Sequence, residues 1–206
     1  GEMAKALRTA YASFGAGIGM RPLASEPVDA LNSFATQLNT QMRVHADASK
    51  PWLTDKSIMA FLIYGLLHAT LPNARFIVVH RDPRDIAVSI YKNYFNGGTH
   101  RYANDLATIA DTIKSFRRIV AHWREILPDR FTEIRYEDLV ADPDTQSRHL
   151  ILAAGLEWEE QCLNFHQSTG TVKTLSLHQV RQPIYQSSAA AWRRYKADLQ
   201  PFFDAW

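Results

Sequence analysis

Apolar positions recur along this chain with two different periods, and the alternation between them is its first structural signal. Val28, Leu31, Phe34, Leu38 and Met42 fall at helical spacing, with Ser25 placed to cap a long helix. Leu106, Ile109, Ile113, Phe116, Val120 and Trp123 make a second stripe of the same kind, and Ile58 to Thr70 is an apolar helix closed by Leu71-Pro72-Asn73. Between them lie short β-branched and aromatic runs, Arg75 to His80 and "RFTEIRY" from Arg130 to Tyr136, which suit strands. "PWLTDK", Pro51 to Lys56, is short and extended. Helices are further expected over Glu2–Phe14, Pro83 to about Phe95, Asp144–Ala154, Glu159–Phe165 and Ala189–Tyr195, with an irregular stretch from His166 to Pro183. Strands separated by helices predict an α/β fold with a parallel sheet covered on both faces. No internal repeat, low-complexity tract or linker interrupts the pattern.

One boundary is abrupt. Phe76 to Val79 is an unbroken apolar run of the sort a parallel sheet buries on both sides, and it gives way to Arg81-Asp82-Pro83-Arg84-Asp85. In such sheets ligands bind beyond the carboxyl ends of the strands, where helix N-termini converge. Asp82 suits an N-cap, Pro83 the first helical turn, and Asp85 completes a capping-box-like spacing. Arg81 is thereby delivered at a strand end beside exposed helical N–H groups, where a guanidinium fork suits a phosphate or a similar oxyanion. Ser89 and Lys92 continue along the helix on the face of Asp85. The plainer alternative pairs Arg81 with Asp85 or Asp138. Lys56, at the end of "LTDK", precedes the helix that leads back to this strand. A right-handed crossover brings it to the same sheet edge, so that Lys56 and Arg81 meet around one polyanion. Its plainer alternative is a solvated lysine at a helix start.

Composition narrows the classes. With 206 residues, 46% of them hydrophobic, the chain can bury one good core, and the expectation is a single domain over residues 1–206. Lys+Arg 23 against Asp+Glu 21 is too balanced for a protein built to coat nucleic acid. The single cysteine, Cys162, precludes an intramolecular disulfide and leans towards a reducing, cytoplasmic setting. No apolar segment is long enough to span a bilayer, and no membrane partner is expected. Gly15, Gly17 and Gly19 in "GAGIG" lack the preceding strand and the spacing of a dinucleotide fingerprint, and no lysine-bearing phosphate loop is present. The eight histidines show no metal-ligand spacing, so no metal is expected. His68 and His80 read as core-edge residues, Cys162 as packing, and "AWRRYK" as too short a basic-aromatic cluster to argue for RNA.

In combination, "TDK" before an apolar helix, "LPNARFIVVHRDPRDIAVSIYKNYF", "RYEDLVADP", "FH" and "QVRQPIYQSSAAAWRRY" resemble bacterial sulfotransferases. The group is related to tyrosylprotein sulfotransferases and is often attached to tetratricopeptide repeats. The resemblance runs from Glu2 to Trp192. It implies a nucleotide-kinase-like (P-loop NTPase-like) α/β fold and 3′-phosphoadenosine 5′-phosphosulfate as co-substrate, with a hydroxyl acceptor such as a peptide tyrosine or a small phenol. By the same resemblance Arg81 and Ser89 hold the 3′-phosphate, and Tyr136 stands at a strand end beside the nucleotide. Ser176, Gln179, Val180 and Arg181 belong to the segment that wraps the cofactor. Lys56 and Ser176 stabilise charge on the sulfuryl group and its leaving phosphate, and Glu2 is the general base. The other function consistent with these motifs is a nucleotide-binding domain without catalysis, in regulation or assembly.

The sequence departs from the family's pattern in two ways. The family's 5′-phosphosulfate loop, a Pro-Arg-Ser-Gly-Thr-Thr type segment, falls shortly before "GE", whereas this sequence begins at Gly1. Either the sequence is a fragment or the loop is absent; the expectation is that an N-terminal strand and this loop precede Gly1, with an upstream tetratricopeptide-repeat region in the manner of the group. Many relatives also carry Lys or Arg immediately before the tryptophan matched by Trp192, where this chain has Ala191, with Arg193 and Arg194 just beyond.

Overall fold

The apolar run after Arg75 forms a strand, β1 (Phe76–His80), that pairs in parallel with β2 (Phe131–Arg135) from Phe76↔Phe131 to His80↔Arg135. The structure is a computed structural model of the chain and describes residues 28–45, 49–95, 100–167, 181–185 and 188–206. Its internal contacts divide the chain into two units, Gly1–Ala74 and Arg75–Trp206.

In the first unit the predicted stripe becomes helix α1 (Val28–His45), whose Phe34 and Leu38 are buried. Pro51–Lys56, expected to be short and extended, has no regular secondary structure and joins no ladder among the described residues. The expected helix over Ile58–Thr70 is divided, with a 3-10 helix at Ile58–Ile63 followed by α2 (Tyr64–Thr70). The N-cap explains part of this. The Ser57 hydroxyl donates to Asp55 at 2.9 Å and makes no cap bond to the helix. Leu66, Leu67 and Thr70 of α2 are buried, and α2 packs against α1.

In the second unit α3 (Pro83–Tyr91) and α4 (Leu106–Ile126) lie between the strands in sequence, and α5 (Tyr136–Ala141), α6 (Pro143–Ala153) and α7 (Gln200–Ala205) follow. Helix α3 stops short of Phe95 because Tyr91 to Tyr94 are exposed and bury nothing that would extend it. Asp142, non-helical before Pro143, ends α5, and its side chain caps α6 by accepting from the Thr145 N–H at 3.2 Å. At the other end of α6, Gly155 has φ +74 and a Leu156 N–H to Ile151 carbonyl bond of 3.1 Å closes the helix. The positive φ strains any other residue there, and an added Cβ, 2.8 Å from Arg75 Nε, would also push the Arg75 side chain aside.

The core of this unit joins Ala87 and Val88 of α3, Leu106, Ile109, Ala110 and Ile113 of α4, and Leu199 and Phe202. Asp105 caps α4 by accepting from the Thr108 N–H at 2.7 Å, which sets the phase of its apolar stripe. The sheet departs from the expected burial on both faces. Val78 is buried, but Val79, on the opposite face, is 51% exposed. The expected terminal helix over Ala189–Tyr195 is a 3-10 turn at Ala191–Tyr195, and α7 beyond it was not anticipated.

Phe202 of α7 is fully buried and stacks on Trp206 with ring centroids 5.3 Å apart. Phe202→Ala is expected to lower unfolding stability by about 3–5 kcal/mol. Urea denaturation checks this, and a loss below about 1 kcal/mol would show that α7 is not part of the core.

Candidate active site

β1 ends at His80, and the chain turns through Arg81 and Asp82 into α3. Asp82 is the N-cap. Its Oδ1 accepts from the Arg84 N–H and Nε, each at 2.9 Å, while Oδ2 accepts from Arg84 Nη2 at 2.6 Å. Burial raises the Asp82 carboxyl, but the Arg84 hydrogen bonds outweigh it and hold the group below the ordinary range. Pro83 occupies the first turn, as expected.

Arg81 makes neither of the ion pairs that the plainer reading offered it. Its guanidinium lies 4.6 Å from the centroid of the Tyr136 ring, Nη2 donates to the Ser188 carbonyl at 2.6 Å, and Nε is buried without a hydrogen-bond partner among the described residues. Asp85 does not complete a capping box either. It is 2% exposed, and its carboxylate points away from the helix start to accept from the Ala190 N–H and the Trp192 N–H, each at 2.8 Å. Ala190 is left-handed, with φ 57, so the turn is held in a conformation that an alanine adopts only under constraint. A cation does lie against Trp192. It is Arg84, 3.9 Å from the ring centroid.

On β2, Glu133 pairs with both His80 Nε2 and Arg124, the Arg124 Nη2 contact being 2.8 Å. The Arg124 hydrogen bond, reinforced by His80 against the effect of burial, holds the Glu133 carboxyl below its ordinary range. Because the folded value is depressed, this anchor stabilises the fold above the unfolded carboxyl's range and is lost as pH falls through the folded value. Glu137, in the first turn of α5, accepts the Asp82 N–H on Oε1 at 2.7 Å. A cleft of about 760 Å³ opens beside these residues, with Arg117, Arg124 and Arg135 among its lining.

Of the residues expected at the nucleotide, Arg81 and Tyr136 stand together. Ser89 lies on α3 and is exposed, its carbonyl accepting from Asn93 Nδ2 at 2.6 Å. Lys56 is exposed in the first unit, and Arg181 is exposed in the second. Glu2, Ser176, Gln179 and Val180 lie outside the described residues. Sequence reasoning missed Glu133, Glu137 and Ser188. An acidic residue inside the strand-like run at Glu133 was the available signal for the first, whereas the partners of the other two depend on tertiary contact.

The model of the sulfotransferase family matches residues 9–160, a span that contains Lys56, Arg81, Ser89 and Tyr136. An uncharacterized protein of Aquifex aeolicus is 35% identical over 160 residues, which is 77% of this chain and 21% of that protein. The chain thus spans about a fifth of the length of this relative.

Asp85→Asn leaves one acceptor oxygen for two backbone donors and turns an amide N–H₂ towards the other. The expected loss is about 2–3 kcal/mol of stability, measured by urea unfolding, with faster protease cleavage near Ala190. An unchanged cleavage pattern would show that Asp85 does not hold this turn.

Proposed function

The chain belongs to the sulfotransferase family, and from that premise we propose that it moves a sulfuryl group from 3′-phosphoadenosine 5′-phosphosulfate to a hydroxyl acceptor, a peptide tyrosine or a small phenol. The observation that carries the reading is Arg81. Its guanidinium sits just past the end of a parallel strand, beside the N-terminus of α3 and against the Tyr136 ring. A delocalised cation presented there has donors beyond the one bonded to Ser188, and suits a phosphate.

In this reading Arg81 and Ser89 hold the 3′-phosphate, Tyr136 lies beside the nucleotide, and Ser176, Gln179, Val180 and Arg181 wrap it. The acceptor oxygen forms a bond to sulfur while the bond from sulfur to the 5′-phosphate oxygen breaks. Glu2 takes the acceptor's proton, and Lys56 with Ser176 compensates the charge that grows on the leaving phosphate. Transfers of this kind draw on in-line positioning and charge compensation more than on covalent help. The compartment proposed is the cytoplasm, with a tetratricopeptide-repeat region upstream.

Calorimetry in the full-length natural protein tests the nucleotide assignment. Arg81→Ala is expected to weaken adenosine 3′,5′-bisphosphate by at least about tenfold and to leave adenosine 5′-monophosphate nearly unchanged. Equal losses for both ligands would sink the assignment.

Glu2 and Lys56 act in the transition state, so turnover and affinity should separate. Glu2→Gln and Lys56→Ala are each expected to cut turnover on a phenolic acceptor by about 10²-fold or more, with donor affinity almost unaltered. A variant with wild-type turnover loses its role.

A further inference from the structure

The end of β1 is held from β2 and α5 residue by residue. His80 meets Glu133, the Arg81 guanidinium meets the Tyr136 ring at 4.6 Å, and the Asp82 N–H meets Glu137 Oε1 at 2.7 Å. The parallel register makes this possible. His80 pairs with Arg135, so the residues that follow Arg135 emerge alongside those that follow His80.

The Asp82 contact fills a defined vacancy in the helix start. In a capping box the side chain at N3 reaches back to the N-cap N–H. Asp82 is the N-cap of α3 and Asp85 is N3, but Asp85 gives both oxygens to Ala190 and Trp192. The Asp82 side chain is itself occupied by Arg84. Glu137 therefore does from another helix what N3 does in a capping box. The N–H it holds belongs to the peptide joining Arg81 to Asp82, so the bond fixes the backbone torsion that follows the Arg81 Cα.

We infer that Glu137 is a positioning residue that aims the Arg81 guanidinium at the nucleotide's 3′-phosphate through the Asp82 N–H. This rests on the reading of Arg81 as the 3′-phosphate ligand. The role needs an acceptor oxygen at that distance rather than a negative charge, which sets Glu137 apart from a residue that attracts or repels the ligand directly.

Three variants in the full-length natural protein test it, with Arg81→Ala as reference. The measured quantity is the affinity for adenosine 3′,5′-bisphosphate divided by that for adenosine 5′-monophosphate, alongside hydrogen exchange of the Asp82 amide. Glu137→Ala is expected to lower the ratio about tenfold and to speed Asp82 exchange by a similar factor. Glu137→Gln, which keeps the acceptor oxygen, should restore both to within about twofold. If Glu137→Ala does not fold, Glu137→Asp withdraws the oxygen by one methylene while keeping the charge, and should lower the ratio in the same direction. A ratio that Arg81→Ala lowers and the Ala and Asp variants of Glu137 leave untouched overturns the inference alone. A ratio that Arg81→Ala itself leaves untouched overturns the reading of Arg81, and this inference with it.

Discussion

Asp85 is a carboxylate that the fold can bury only because two backbone N–H groups reach it. At 2% exposure it has little access to water, and an unpaired charge in such a place costs several kcal/mol. The Ala190 and Trp192 amides supply the compensation, and in doing so they fix where the C-terminal segment lies against the start of α3. Other contacts of the site depend on that placement. Ser188 can accept from Arg81 only if the turn two residues later is held, and Trp192 can lie under Arg84 only if its own N–H is fixed. One side chain thus sets the partners of two arginines.

Four carboxylates near the end of β1 are committed to protein donors. Asp82 serves Arg84, Glu133 serves Arg124 and His80, Glu137 serves the Asp82 N–H, and Asp85 serves the C-terminal turn. The guanidinium groups are less fully spent. Among the described residues Arg81 has a buried Nε without a partner, and its Nη2 donates to a neutral carbonyl. A hydrogen bond to an ionised acceptor is roughly twice as strong as one to a neutral acceptor. The local balance therefore favours an incoming anion although the whole chain carries a net charge of only +2.

Features set within a few residues were legible in the sequence. Asp82 and Pro83 start α3 as read, the α4 stripe is buried at Leu106, Ile109, Ile113 and Val120, and the two runs around Phe76 and Phe131 are parallel partners. Arg81 stands just past the strand end as predicted, and Tyr136 is beside it. What failed had partners far along the chain. Asp85 has the spacing of a capping box, yet its acceptor oxygens are claimed by amides 105 and 107 residues away. Local spacing gives no sign of that competition. Phe202 lies in a six-residue helix too short to show a period, and only its packing against α3 and α4 marks it as core. Lys56 lies in a different unit from Arg81, and Glu2, Ser176, Gln179 and Val180 lie outside the described residues. Their roles rest on the family alone.

Helix α3 joins stability to the candidate site, and Asp85, buried in its first turn, belongs to both. Its inward residues, Ala87 and Val88, belong to the same core as Ile109 and Phe202. Its N-terminal turn holds Asp82, Arg84 and Asp85, which contact residues of the site and none of the buried core side chains through hydrogen bonds. A cavity in the core then loosens the platform as a whole, whereas loss of an acceptor at Glu137 changes the aim of a single guanidinium on an intact platform. The two kinds of damage have different signatures, one in the unfolding free energy and the other in discrimination between ligands that differ by one phosphate. A helix packed by apolar contacts and fixed at its start by carboxylates can therefore present an arginine at the end of a sheet whose described part has only two strands.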